Sequence, residues 1–255
     1  MSGSAGLRFF LGALPIAFVL ALWHGLSITG AVPAALLPPP SAVLRRLGEQ
    51  LANAHYLLNA ATTLLRLLAG FVLALVIGVG VGLAAATHRT LDALFTPVVR
   101  VLAPVPKIAL YPALVLILGF EHGSKIALVA ADATFPILLA TYQGAKGVER
   151  TMVWSALAAG AGPHKVLLSV VLPAALPTLL AGCRIALVIS SIVVFLAEMI
   201  MSTDGLGHVL VYAARSFETV DMLVPLVTIS LLSLLLNAGL NGLSARLLAG
   251  FPHGA

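Results

Sequence analysis

Charge is the scarce ingredient of this chain. Lys, Arg, Asp and Glu make up 9% of its 255 residues, against 60% hydrophobic side chains, where a soluble domain carries about 25% charged residues. So little charge leaves too small a polar surface to face water, and the solvent that tolerates such a surface is lipid. Cysteine is nearly absent. Cys183 stands alone in an apolar run, which excludes an internal disulfide. No G-x-x-x-x-G-K-[ST] occurs, so this chain does not bind ATP by a P-loop. Gly78, Gly80 and Gly82 lie in an apolar stretch with no lysine after them and read as close helix packing. The seven histidines are dispersed, and no metal-ligand cluster or nucleophile constellation is visible, so neither a metal nor a catalytic site is expected. His24 reads as a packed or interfacial side chain. The net charge of +5 comes from cations scattered singly, apart from Arg45-Arg46. There is no basic stripe for nucleic acid, and the distribution is topological information instead.

A lipid-spanning helix needs about 20 mostly apolar residues. Six stretches qualify: Phe9 to Ile28, Thr63 to Thr87, Val101 to Gly119, Ile126 to Tyr142, Ile185 to Met201 and Met222 to Leu240. The expected fold is all-α, a polytopic membrane protein with about six transmembrane helices. Residues 1–60 hold the first span and an external amphipathic segment. Residues 61–250 hold the main transmembrane domain, with a cytoplasmic loop at 143–180. A cytoplasmic N-terminus puts Arg8, Arg89, Arg100, Lys146, Arg150, Lys165, Arg184 and Arg246 inside or at the inner interface, leaving Arg45, Arg46, Lys125 and Arg215 outside. That bias places both termini in the cytoplasm. A cleaved signal peptide fits less well. The first apolar stretch exceeds the usual 7–15 or so residues, and Ala31-Val32-Pro33-Ala34 is a poor cleavage site.

Two segments do not span. In the first, Pro38-Pro39-Pro40-Ser41 predicts an extended approach to a helix with Ser41 as N-cap. Val43, Leu44, Leu47 and Leu51 share one face of that helix, and Arg45, Arg46, Glu49 and Gln50 the other. In the second, Val148 to Ala159 forms a helix broken by Gly160, Gly162 and Pro163. His164 to Leu172 forms another, ended by Pro173 and Pro177. A helix–turn–helix projecting inward suits docking of another protein.

Ser155-Ala156-Leu157-Ala158-Ala159-Gly160, followed at fixed distance by Val170-Val171-Leu172-Pro173-Ala174-Ala175-Leu176-Pro177, resembles the cytoplasmic loop of binding-protein-dependent ABC permeases. That loop reads Glu-Ala-Ala, three residues, Gly, then about a dozen residues to Leu-Pro. Pro104-Val105-Pro106-Lys107-Ile108-Ala109-Leu110-Tyr111-Pro112 and Phe135-Pro136-Ile137-Leu138-Leu139 are similar to the nitrate/sulfonate/taurine branch. So are Ala197-Glu198-Met199-Ile200 and Gly205-Leu206-Gly207.

The resemblance implies a type I importer permease that pairs with a second copy of itself or a close relative. ATPase subunits, with their ATP and Mg, would dock from the cytoplasm, and an external solute-binding protein would deliver the solute. This chain would bind no cofactor of its own. The solute implied is a small oxyanion such as a sulfonate, taurine, nitrate or bicarbonate. The loop would be the coupling helix, with Glu149, Arg150, Trp154, Ser155, Ala156, Ala159, Gly160 and Pro173 as its residues. The family's Glu aligns with Trp154. Glu149 does not replace it, because five residues at about 100° each place it roughly 140° around the helix. Trp154 is the aromatic anchor in its stead.

Charged residues inside a bilayer face a cavity or a partner. Asp132, where that branch typically has a small or aromatic residue, is either pore-lining or part of a structural hydrogen bond or ion pair. Lys107 lies among prolines whose freed backbone is expected to line a path, or it snorkels to the inner interface. Tyr111 belongs to the same pathway set. Glu198 steadies an outer gate or caps a helix. Ser190 and Ser191 face the pathway or bond their own helix. The rival reading is an ion-coupled secondary transporter, which would carry inverted repeats and several intramembrane carboxylates.

Overall fold

The computed structural model describes residues 3–33 and 35–249, and among them the regular structure is helical throughout. Expectations that rest on the Arg8 side chain and on Ala34 fall outside the described residues. The first helix, α1, runs Gly3–Ile28 and contains the first expected span. Its outer end is tied back by Trp23 Nε1 donating to the Pro38 carbonyl and Ser27 Oγ to that of Leu37, both at 3.0 Å. Helix α2, Pro40–Leu51, starts earlier than its sequence suggests. Extended Pro39 is the N-cap and Pro40 occupies the first turn, so Ser41 is already inside the helix and makes no cap. Val43 and Leu47 are buried while Leu44 and Leu51 stay exposed. Arg46 and Gln50 both reach Asp221, at 2.7 and 3.2 Å, pinning α2 to the last helix.

Helix α3, Ala54–Thr87, begins at an Asn53 cap and carries the second span. The third span is broken into α4, Arg89–Leu102, and a 3₁₀ turn at Lys107–Leu110 that leads into α5, Tyr111–Leu118. The two halves are bent by 79° around Pro104 and Pro106. Neither proline has an amide hydrogen to continue the ladder. Helix α6 is His122–Lys146, α7 Arg150–Ala158, α8 Pro163–Val166, α9 Leu172–Ile200, α10 Leu206–Arg215 and α11 Thr219–Leu248.

The loop corrects one expectation. The helix after Pro163 does not end at Pro173. A π-helical turn, Leu167–Val171, joins α8 to α9, giving one rod of 38 residues from Pro163 to Ile200. Pro173 lies in the first turn of α9, and the wider π turn before it accommodates the pyrrolidine ring and the missing donor that would break a regular helix.

Helices α3, α6 and α9 form the core. A Cβ on Gly70, Gly78 or Gly82 would press on Val129, Ile137 or Thr141 respectively, a constant offset of 59 residues (129 − 70, 137 − 78, 141 − 82) that sets α3 and α6 parallel and in close contact. Gly80 faces open space, so the packing reading holds for its two neighbours only. Gly144 abuts Ala175, and Gly182 abuts Pro136 and Ala140, which makes α9 antiparallel to α6. One end of the bundle thus gathers α2, α10 and the starts of α3, α6 and α11. The opposite end gathers Gly3, Thr87, Lys146, α7 and Leu248. The 143–180 loop therefore shares an end with both described ends of the chain.

Candidate functional site

Three groups of polar residues occupy three depths of the bundle. The outermost is a buried ionic network. Arg66 on α3 and Glu198 on α9 are each 1% exposed. Arg66 Nη1 donates to Glu198 Oε1 at 2.8 Å, Nη2 to Asp204 Oδ1 at 2.6 Å, and Nε to His122 Nδ1 at 3.2 Å. The network also caps α10. The backbone amides of Gly205, Leu206 and Gly207 donate to Asn59 Oδ1, Thr63 Oγ1 and Glu198 Oε2 at 2.6, 2.8 and 3.1 Å. Three orphan donors of a helix start are thus satisfied by side chains of α3 and α9. This explains the Gly-Leu-Gly pattern. Gly205 has φ +94°, and a Cβ there would run into the Glu198 carboxylate, while one on Gly207 would strike the Phe195 carbonyl. Leu206 between them is fully buried. Lys125 lies at the same end and is buried, donating to the carbonyls of Phe120 and Glu121.

Asp204 is the solvent-facing edge of the network, its side chain 45% exposed. Partial burial pushes its carboxyl up, but the Arg66 hydrogen bond and charge, the Ser202 hydroxyl and the Lys125 ammonium together hold it below the ordinary 3.8. A carboxyl depressed by folding stabilises above its unfolded value and loses that contribution as pH falls through the folded value. Asp204→Asn is expected to cost about 1 kcal/mol near neutrality, discounted for exposure. The cost should vanish in acid, read as the difference in unfolding midpoint between the two proteins at about pH 7 and about pH 3.

The middle group is a charge pair at the broken span. Lys107 Nζ lies 3.4 Å from Asp132 Oδ1, 3.2 Å from the Ala103 carbonyl and 4.3 Å from the Phe135 ring centre. Asp132 is thus one half of an ion pair. Tyr111 is fully buried and donates to the Met201 carbonyl at 2.9 Å. Ser190 and Ser191 are buried and donate to the Ala186 and Leu187 carbonyls of their own helix. Glu198 caps α10, one of the two roles open to it.

The innermost group is α7. Its C-terminus closes with paired hydrogen bonds, Gly160 N–H to the Leu157 carbonyl at 2.9 Å and Ala161 N–H to that of Ala156 at 3.1 Å. Gly160 takes the left-handed φ of +81° that this closure demands. Val153 and Ala156 pack on Val166 and Val171. Ser155 and Ala159 are exposed, and Met152, Trp154 and Leu157 are 50%, 62% and 45% exposed. Glu149 is the residue preceding the helix, in extended conformation, and Arg150 opens the first turn. Trp154 and Leu157, one turn apart, leave exposed apolar surface at the end of the bundle on a helix too short to span.

Arg66 stands in sequence as a lone charge near the start of the apolar Thr63 to Thr87 stretch. A guanidinium in a span is itself the signal for a buried partner, and Glu198 was in view. Asn59, Thr63 and Asp204 carry no such signal, since their roles depend on where α10 begins.

The family described as "Binding-protein-dependent transport system inner membrane component" matches residues 74–250. The chain is 32% identical over 237 residues to a probable ABC transporter permease protein of Brucella melitensis, covering 93% of this chain and 95% of the relative. It is 30% identical to the taurine transport system permease protein TauC of Escherichia coli K12, covering 91% and 86%. It is 29% identical to the putative aliphatic sulfonates transport permease protein SsuC of Bacillus subtilis, covering 82% and 75%. Among solved structures, the inward-facing MetNI methionine ABC transporter superposes with a TM-score of 0.64 over 73% of this chain and 93% of that one, at 19% identity. That likeness shows the fold.

Proposed function

Because this chain belongs to the binding-protein-dependent transport system inner membrane component family, as the multi-pass inner-membrane permease of an ABC importer, we propose that α7 is the helix through which a separate ATPase drives it. Two ATPase subunits seat α7 of two permease copies, most simply a homodimer in lipid, with both termini cytoplasmic. The ATPases bind ATP and Mg. A solute-binding protein docks on the opposite face. The observation that carries this reading is the exposed Trp154–Leu157 pair, one turn apart on α7, beside a continuous rod. The rod is about 57 Å long at 1.5 Å per residue. It begins next to α7 and ends at Glu198 and Ile200, so a push at α7 reaches the outer network as rigid-body motion. The solute is a small oxyanion. Sulfonates and taurine are supported by the relatives' names, and nitrate or bicarbonate belong to the same chemical class.

The test is co-purification of the chain with its ATPase, and ATP-dependent uptake in reconstituted vesicles. Deleting residues 155–162 is expected to abolish the association. Retained association, or uptake by the permease alone, would reject the reading.

A further inference from the structure

The Lys107–Asp132 pair is placed and built to hold a two-ended solute. The 59-residue register of α3 on α6 puts Asp132 level with Leu73. That depth lies between the outer network at Arg66 and the inner ring formed by Asp92, Tyr142 and Lys146. Lys107 reaches it from the bend between α4 and α5. Irregular backbone at such a depth is tolerated where protein covers it or where it lines a cavity, and Lys107 borders a cavity of about 470 Å³. Apart from Thr134 the other walls are apolar and include Ile77, Leu110, Ala131 and Phe135, and Asp132 lies behind Lys107 at the edge of this space, its side chain 23% exposed.

Charge accounting decides which solute the pair accepts. A plain anion that takes Lys107 strands Asp132 without its cation in a poorly solvated place, which is strongly unfavourable. A solute bearing an anionic group and an ammonium a few bonds apart inserts between the two and leaves every charge with a partner. We infer that Lys107 and Asp132 read a zwitterion, the sulfonate going to Lys107 and the ammonium to Asp132, and that the pair discriminates against plain alkylsulfonates. The Phe135 ring beside Lys107 offers an apolar wall to the connecting carbons.

This inference rests on the small-oxyanion reading above, and the experiment separates the two. Vesicles holding permease, ATPase and binding protein are loaded with ATP, and uptake of taurine and of ethanesulfonate is compared. The binding protein is the same in every variant, so a change in the ratio belongs to the permease. Asp132→Asn, nearly isosteric, is expected to lower the taurine-to-ethanesulfonate ratio about tenfold or more. Lys107→Met is expected to lower uptake of both by about a hundredfold. The double variant Lys107→Met/Asp132→Asn stays inactive, because the group that holds the sulfonate is gone. Recovery of uptake in the double variant would mean the pair is structural and would overturn the inference. So would an unchanged ratio in Asp132→Asn. In both cases ATP-driven uptake persists and the permease assignment stands. A native complex that carries neither solute, while its ATPase still responds to the binding protein, overturns the sulfonate reading and this inference together.

Discussion

Arg66→Met is expected to remove most of the folded protein from the membrane. What survives purification should unfold far more easily than the native chain. The mutation deletes one member of an ion pair whose partner, Glu198, is as deeply buried as Arg66 itself. Breaking such a pair from one side costs about 3–5 kcal/mol, because a carboxylate is left in a place that solvates it poorly. The pair's net worth against apolar replacements is far smaller, and that difference is the control. Adding Glu198→Gln to Arg66→Met removes the stranded charge, and the glutamine carbonyl still accepts from Thr63 and the Gly207 amide. The double variant should recover much of the lost stability. Arg66→Lys should fall in between. A single ammonium does not present the planar fork that engages Glu198, Asp204 and His122 at once. Unfolding midpoints in detergent for the four proteins decide the matter. An Arg66→Met midpoint equal to the native one would mean the network does not anchor α10.

Much of this fold is legible in composition because lipid imposes length. Apolar stretches bounded by charge predict helices, and five of the six expected spans lie on one each, the third being split by the bend at Pro104 and Pro106. What escapes is set by prolines whose effect depends on the neighbouring turn. Pro104 and Pro106 break a helix outright, while Pro136, Pro177 and Pro225 sit inside helices that run on. Pro173 looks like a terminator in sequence and lies inside the longest rod instead, in the first turn of α9. The difference lies in the π turn before it, which no spacing rule reveals. The site divides the same way. Gly160 and Trp154 are local and readable. The cap on α10 assembles residues from three helices, with Asn59 and Gly205 separated by 146 positions, and it becomes visible only once those helices are packed.

Trp154→Ala should weaken the ATPase complex more than any other single truncation on α7, without loosening the permease. The side chain is the most exposed of the apolar three, so its removal leaves no cavity inside the chain, and the closure of α7 through Gly160 is untouched. A tryptophan at the centre of a docking patch is worth about 2–4 kcal/mol on truncation, roughly a thirtyfold to several-hundredfold loss of affinity. Leu157→Ala should cost less, as the smaller apolar neighbour one turn away, and Met152→Ala, about 160° around the helix from Trp154, and Thr151→Ala close to nothing. Two measurements belong together: the dissociation constant for the ATPase and the unfolding midpoint of the permease alone. Weak binding with an unchanged midpoint places Trp154 in the partner's groove. Native affinity in Trp154→Ala would mean that the groove is filled by other residues of the loop. The acidic contact common in related permeases would then have been lost here without an aromatic replacement.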